Sequence, residues 1–404
     1  MISLSIIILF KSLLLVFVAV SLIEFSFRWW YHRKFEKDFV TPVKYAWRDQ
    51  YICSHPNFSM AHVPGKMLKH RQLVMYPFNR KCLSMTHTQV INNTGYQSHR
   101  DYFFKKSSNT LRVAFLGNST TSNILSDGTR DYSTPVLTEE KLQTLLSAKR
   151  IDCEVYNFAT MAWVSTDLVA CMALHVTHYK PDVLVLYHGF TDLYLYLTDD
   201  DDSMSCSKEA GKSVVRHDYT HNRRNLGSAL TKHWLVNKLV PRIPWLWCFE
   251  YLKSKTCGTG DLRNEFVNSL RTRKINSVKK FSDMHPRKEH LRTILTLCSA
   301  LDIPVVIPAF CCANLDRSNV ANNFEVGVQL ENKQMKDLAV EFQCKGHTVW
   351  YLDDTIQGKI PYDAEHFCDW IHFAPRGMER FAHVVSEFIA EKVGGDIVLS
   401  SGET

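Results

Sequence analysis

The apolar positions of this chain fall into two rhythms. Short runs rich in β-branched and aromatic residues, at Leu111–Leu116, Cys153–Phe158, Val183–Tyr187, Pro304–Pro308 and Thr348–Leu352, have the length and composition of strands buried on both faces. Between them apolar residues recur at helical spacing over Tyr132–Leu146, Ser165–His178, Arg287–Leu301 and Leu330–Gln343, and the amphipathic stretch Arg376–Val393 closes the pattern. This alternation predicts an α/β fold, a flavodoxin-like three-layer sandwich with a parallel five-stranded sheet. Ligands of such sheets sit at the carboxyl ends of the strands, so the residues just after each run are the candidates for chemistry.

Three stretches depart from that rhythm. Residues 38–110 are mixed and aromatic, with weak strand patterns near Leu73–Tyr76 and Thr88–Ile91 and a turn signal at Asn93-Thr94-Gly95-Tyr96, and read as a lead-in region. The interval from Tyr187 to Pro304 is too long for an ordinary connection and predicts a helical insertion at about residues 199–285. It carries the acidic run Asp199–Asp202, read as a solvated loop rather than a metal site, the Trp-rich Pro244-Trp245-Leu246-Trp247 and the basic region Arg271–Lys280.

The third departure is the amino end, where Ile2–Phe27 is almost wholly apolar apart from Lys11 and Glu24 and runs into Arg28-Trp29-Trp30-Tyr31-His32-Arg33-Lys34. At ~1.5 Å per residue such a run spans a hydrocarbon core of ~30 Å, and the aromatic cluster suits the water interface. With no small-x-small cleavage site, it predicts an uncleaved single-pass transmembrane helix rather than a removed signal peptide. The basic cluster argues for a cytosolic body, whereas the glycosylation tripeptides at Asn57 and Asn92 argue for the other side. The side of the membrane stays open. The expected organisation is an anchor over 1–27, a juxtamembrane lead-in over 28–110 and an α/β domain over 111–398 with its insertion.

Composition narrows the function. The 404 residues are 45% hydrophobic and 22% charged, which is globular, and 48 basic against 41 acidic side chains leave a net charge of +7. The basic residues are scattered, with no aromatic-basic motif, so nucleic acid is not an expected partner. Twelve cysteines include no C-x-x-C pair, which points away from zinc. Cys153, Cys171 and Cys298 read as buried free thiols, while Cys53, Cys82, Cys206, Cys248 and Cys257 are disulfide candidates should the body lie outside the cytosol.

The first strand run ends in Gly117-Asn118-Ser119-Thr120-Thr121-Ser122. A serine there presents its hydroxyl, and its own N–H, to the space beyond the sheet, so Ser119 is a candidate nucleophile and oxyanion donor. The competing reading has Ser119 capping the helix that follows. In Asp369-Trp370-Ile371-His372-Phe373 a carboxylate precedes an imidazole at a spacing that lets a turn bring them together, with Asp369 fixing the tautomer and His372 taking the serine proton.

With these residues in order the chain resembles the SGNH hydrolases, also called GDSL-like lipases and esterases. In that family a serine follows the first strand, a glycine the second, a G-x-N-D motif the third, and D-x-x-H precedes the last helix. The block Val113–Thr121 looks like the nucleophile segment, with G-N-S in place of G-D-S; Asn157–Ala162 resembles the second block, Gly189-Phe190-Thr191-Asp192 the third, and Asp369–His372 the last. Asn93-Thr94-Gly95-Tyr96 resembles the lead-in of membrane-attached bacterial members. The resemblance covers about residues 90–200 and 285–392.

It implies Ser119, Asp369 and His372 as the catalytic residues, and the oxyanion donors fall on Ser119, Ala162 and Thr191. Ala162 stands where the family has glycine and Thr191 where it has asparagine. An alanine still offers its N–H, but a threonine hydroxyl is shorter than a carboxamide, and losing one oxyanion donor costs ~3 kcal/mol in the barrier. Asp192 is expected to hold its loop, His188 is a candidate substitute donor, and a glycan on the tripeptide Asn118-Ser119-Thr120 would block the cleft. The implied activity is a membrane-anchored serine esterase acting, without metal or cofactor, on acyl or O-acetyl esters of glycans or lipids. An O-acyltransferase with the same residues, and a non-catalytic membrane-bound binding or assembly protein with a relaxed site, are the alternatives.

Overall fold

The computed structural model describes residues 2–35, 82–98, 100–122, 131–160, 163–193, 286–313, 319–353, 358–363, 365–368 and 370–393, with short pieces between residues 52 and 75, at 125–126 and at Ile356. The chain divides into two compact units, Met1–Val43 with Asn225–Ser269, and Lys44–Arg224 with Leu270–Thr404. The expected insertion, with its acidic run, Trp-rich patch and basic region, lies outside the described residues.

In the first unit, α1 (Ile2–Phe35) is one continuous helix that takes in the apolar run and its basic end. Glu24, inside the run, is buried and accepts from Arg28 Nε at 2.8 Å, one turn on. Among the described residues no helix is long and apolar enough to cross a membrane. The helix expected over residues 1–27 is thus present, but the fold does not establish the span. Its charged positions, Lys11 and Glu24, and its polar continuation from Arg28 to Phe35 set it apart from a purely apolar rod.

The second unit is built on five parallel strands. They are β3 (Thr110–Gly117), β4 (Asp152–Ala159), β5 (Val183–Tyr187), β6 (Val305–Pro308) and β7 (Val349–Leu352), preceded by the antiparallel hairpin of β1 (Met67–Met75) and β2 (Cys82–Val90). The order across the sheet is β7-β6-β5-β3-β4, so the chain starts in the interior, steps to one edge, and returns to fill the other. The expected flavodoxin-like order is present, and its switch point falls between β3 and β5. β3 and β5 are buried at every position, which is why their sequences read as apolar runs, broken in β3 only by Arg112 after the opening Thr110.

Helices α2 (Ser119–Ser122), α3 (Thr134–Leu146), α4 (Ser165–Leu174), α5 (Arg287–Ala300), α6 (Asn319–Cys344) and α7 (Pro375–Lys392) complete the layers. Leu168 and Met172 of α4, Leu291, Ile294 and Leu295 of α5, and Met335 and Leu338 of α6 share one core with Ala114, Leu116, Leu184 and Leu186 of the sheet. On the opposite face α3 and α7 pack together, joined by a bond from Ser386 Oγ to Thr138 O. α6 begins well before the predicted Leu330. Its stripe continues through buried Phe324 and Val328, but Gly327 hides it in the sequence, and a Cβ there would come within 2.5 Å of Leu193.

Part of the lead-in belongs to this core. Asn92 Oδ1 collects the N–H groups of Thr94 and Tyr96, closing a turn whose Gly95 has φ +88°. Tyr96 then reaches His175 Nδ1 at 2.6 Å, and Tyr102 stacks on Tyr156 with ring centroids 4.1 Å apart. Asn92 and Asn118 are 2% and 1% exposed, so neither tripeptide can carry a glycan in the folded chain. Cys153, Cys171 and Cys298 are buried free thiols, as expected. Of the disulfide candidates, Cys206, Cys248 and Cys257 and the side chains of Cys53 and Cys82 are outside the described set.

Two buried charges tie the lead-in to the sheet. Lys106 Nζ lies 2.6 and 2.8 Å from the carboxylate oxygens of Asp182, which also accepts the N–H of Arg112 at 2.7 Å. Arg112, fully buried, pairs with Glu154 and donates to the carbonyls of Phe104, Lys105 and Tyr179. Removing one partner of such a pair strands the other charge. Lys106→Met is expected to cost roughly 3–5 kcal/mol, read as a fall in the urea midpoint, and a loss under 1 kcal/mol would contradict this account.

Candidate active site

Two loops meet at the switch point because their strands are neighbours. The registers Gly117↔Ala159 and Gly117↔Tyr187 put the ends of β3, β4 and β5 level. Beyond β3 the chain turns into α2, and the cap of that helix is Asn118: its Oδ1 accepts from Thr120 N–H at 3.2 Å and Thr120 Oγ1 at 2.8 Å. Ser119 is therefore not spent on capping. Its half-buried hydroxyl lies 3.0 Å from Nε2 of His372, a residue 253 positions away in sequence.

The loop carrying His372 is a tight hairpin. Phe367 and Phe373 pair as an antiparallel bridge, with Cys368 N–H donating to His372 O and Ala374 N–H to His366 O, both at 2.8 Å. Phe373 anchors it below, packed against Tyr187, Phe367 and Phe381. Gly377, at the start of α7, must lack a side chain, since a Cβ would fall 2.1 Å from His366 O. The histidine thus stands on a rigid turn over the end of β5, which is how it reaches the serine.

Beyond β5 the loop His188–Leu193 is held from three sides. Asp192 is fully buried and accepts from Ser165 N–H at 3.0 Å, Ser165 Oγ at 2.7 Å and His188 Nε2 at 2.8 Å. That is the loop-holding role expected of Asp192. It also engages His188, whose bonded nitrogen faces Asp192 instead of a substrate. Phe190 adopts φ +70°, costly for a residue with a Cβ, and its N–H is captured at 2.8 Å by Glu331 of α6. Thr191 N–H donates to Gly189 O at 2.8 Å, and its hydroxyl accepts from Asn118 Nδ2 at 2.7 Å. Thr191 is thereby tied to the residue beside Ser119.

Glu331 and Arg287 form a buried pair behind this loop, with Arg287 Nε 3.0 Å from Glu331 Oε1 and both side chains 1% exposed. The contact is close but poorly aligned for a hydrogen bond. The better-directed bonds go to the loop, Glu331 taking Phe190 N–H and Arg287 Nη2 donating to His188 O at 3.2 Å. Burial pushes the Glu331 carboxyl above the usual range, and the neighbouring guanidinium pulls it back. Asn332 adds a reciprocal pair with Phe310 N–H and O, at 2.8 and 2.9 Å, at the end of β6.

Of the residues singled out by sequence, the structure brings Ser119, His372 and Thr191 to one end of the sheet. Asp369 and Ala162 lie outside the described residues. Arg287, Glu331, Asn332 and the capping role of Asn118 were not anticipated. A signal for two of them was present: Arg287 stands four residues before Leu291, and Glu331 four before Met335, so each is a charge on an otherwise buried helical stripe.

No family model matches this chain, and no curated protein matches it. Solved structures do. The structural neighbours are GDSL-like lipases, acylhydrolases and carbohydrate esterases. A lipase/acylhydrolase from Enterococcus faecalis is 14% identical, with a TM-score of 0.37 over 70% of this chain and 96% of its own. The family 3 carbohydrate esterase of Clostridium thermocellum is 11% identical, with a TM-score of 0.37 over 71% of this chain and 100% of its own. A GDSL-like lipase from Bacteroides thetaiotaomicron is 9% identical, with a TM-score of 0.35 over 70% of this chain and 89% of its own.

The buried pair gives a prediction. Glu331→Gln removes the carboxylate that faces buried Arg287 and weakens the grip on Phe190 N–H, so the variant is expected to lose about 3 kcal/mol of stability in chemical denaturation. Asp337→Asn, at an exposed position of the same helix, serves as the control and is expected to stay within about 1 kcal/mol of wild type.

Proposed function

We propose that this chain is a serine esterase of the SGNH type, hydrolysing acyl esters, O-acetyl groups among them, through an acyl-enzyme on Ser119. The observation that carries the reading is the 3.0 Å approach of Ser119 Oγ to His372 Nε2 at the switch point of the sheet. The serine is half-buried at a strand end with its cap duty taken by Asn118, and the hairpin carrying the imidazole is anchored by Phe373. That is the arrangement an activated nucleophile needs.

The chemistry follows from those positions. Ser119 Oγ attacks the ester carbonyl carbon as His372 Nε2 takes its proton, and the carbonyl oxygen becomes an oxyanion facing the N–H groups of Ser119 and Ala162 and the hydroxyl of Thr191. Collapse breaks the bond to the alcohol, which leaves with the proton from His372. Water then gives a proton to His372 and attacks the acyl-enzyme, and breakdown returns that proton to Ser119 and releases the acid. Asp369 orients the imidazole in this scheme.

Membrane attachment through α1 is part of the proposal. Leu15, Phe17, Leu22, Ile23, Phe25 and Trp29 are each more than half exposed on that helix, a quantity of bare apolar surface that water disfavours and a bilayer accepts. An anchor keeps the cleft near acylated glycans or lipids, which selects the substrate class.

Full-length protein in detergent is expected to label with a fluorophosphonate probe, and Ser119→Ala and His372→Ala are expected to reduce the labelling rate about 10³-fold or more at unchanged melting temperature. Labelling that survives Ser119→Ala would sink the reading. In cells, the full chain is expected in the carbonate-washed membrane pellet, and a variant lacking residues 1–35 in the supernatant; equal distribution of the two would remove the anchor from the proposal.

A further inference from the structure

We infer that the Asn118 carboxamide is a positioning group that sets the Thr191 hydroxyl as a donor toward the oxyanion. The inference rests on the esterase reading and concerns its weakest part, the short side chain at position 191.

Hydrogen-bond bookkeeping fixes the orientation of Asn118. One end of the carboxamide meets the N–H of Thr120 at 3.2 Å, and a backbone N–H can only donate, so that atom is the oxygen. The opposite end is then the NH2 group. It lies 3.0 Å from Gly189 O, which can only accept, so the two ends are assigned independently and agree. The second hydrogen of the same NH2 goes to Thr191 Oγ1 at 2.7 Å. All four hydrogen-bonding capacities of this side chain, which is 1% exposed, are in use.

The consequence falls on Thr191. A hydroxyl that accepts from Asn118 cannot turn its own proton back toward that nitrogen, so the proton points elsewhere. Among the described residues no group accepts it. It is held ready on a loop pinned by Thr191 N–H to Gly189 O, by Phe190 N–H to Glu331 and by Asp192 to Ser165. Accepting one bond also polarises the hydroxyl and strengthens the one it donates. An aspartate at position 118 would do the reverse: having only acceptors, it would draw the Thr191 proton to itself and face the carbonyl of Gly189 with like charge. A carboxamide at 118 and a hydroxyl at 191 are therefore a matched pair, one residue from the nucleophile.

The test is a double-mutant cycle on full-length protein in detergent, with p-nitrophenyl acetate hydrolysis giving kcat and KM, and fluorophosphonate labelling reporting the serine. Thr191→Val and Asn118→Asp are each expected to lower kcat about 100-fold with KM changed less than about threefold, as for loss of one oxyanion donor. Thr191→Ser, which keeps the hydroxyl, is expected to retain most of kcat. In the Thr191→Val background, Asn118→Asp is expected to cost no more than about threefold further, because the group it acts through is already gone. Losses that multiply instead, or a Thr191→Val enzyme as fast as wild type, overturn the positioning role while the esterase reading stands. Wild-type protein that neither hydrolyses the ester nor labels overturns both. Should Asn118→Asp fail to fold by its melting curve, Thr191→Val against Thr191→Ser, which alter a half-buried side chain by one group, decides the matter.

Discussion

Position 117 has no room for a side chain. A Cβ there would lie 2.3 Å from Thr121 Oγ1 and 2.4 Å from the carbonyl of Tyr187, because the last residue of β3 is pressed against the end of β5 at the point where the strand order reverses. Thr121 Oγ1 occupies that space and donates to Tyr187 O at 3.0 Å. This contact brings the turn after β3 against the loop after β5. Asn118 can then reach both Gly189 and Thr191, and Ser119 is delivered to the same crevice that the His372 hairpin overhangs. A larger residue at 117 would separate the two loops, and each bond described for the site would lengthen with them.

The polar machinery is graded by burial. At the front, Ser119, Thr191 and His372 are partly open, as the proposed function requires. Behind them Asn118, His188 and Asp192 are buried with their bonds directed into the loop, and deeper still Arg287 and Glu331 hold the backbone of that loop from α5 and α6. A buried ion pair is a poor source of net stability. Its use here is geometric, since Phe190 would not keep φ +70° without something to hold its N–H.

Much of this was legible in the sequence, for reasons that differ by element. Strands β3 and β5 were plain because both faces are buried, so their residues are apolar apart from Thr110 and the paired Arg112, and β5 was bounded correctly at Val183 and Tyr187. The start of α6 was hidden because Gly327 is a helix-breaking residue by propensity and is required here only by the approach of Leu193, a contact made across the fold. The meeting of Ser119 and His372 was legible because each follows a strand or precedes a helix in a short motif. The network of Arg287, Glu331 and Asn118 was not, because nothing local marks two charges on different helices as partners.

The N-terminal helix and the site pose opposite problems of exposure. At the site, the carboxamide of Asn118 and the carboxylate of Asp192 are withdrawn from water and bonded by their neighbours. On α1, apolar side chains such as Phe25, 72% exposed, and Leu15, 70% exposed, are not covered by any of the described residues. A hydroxyl withdrawn for chemistry is stable because its neighbours bond it; a bare phenylalanine has no such recourse except another apolar phase. Under the proposed function, α1 would find that environment in a lipid surface, while the cleft would bind acyl esters by the polar groups described above.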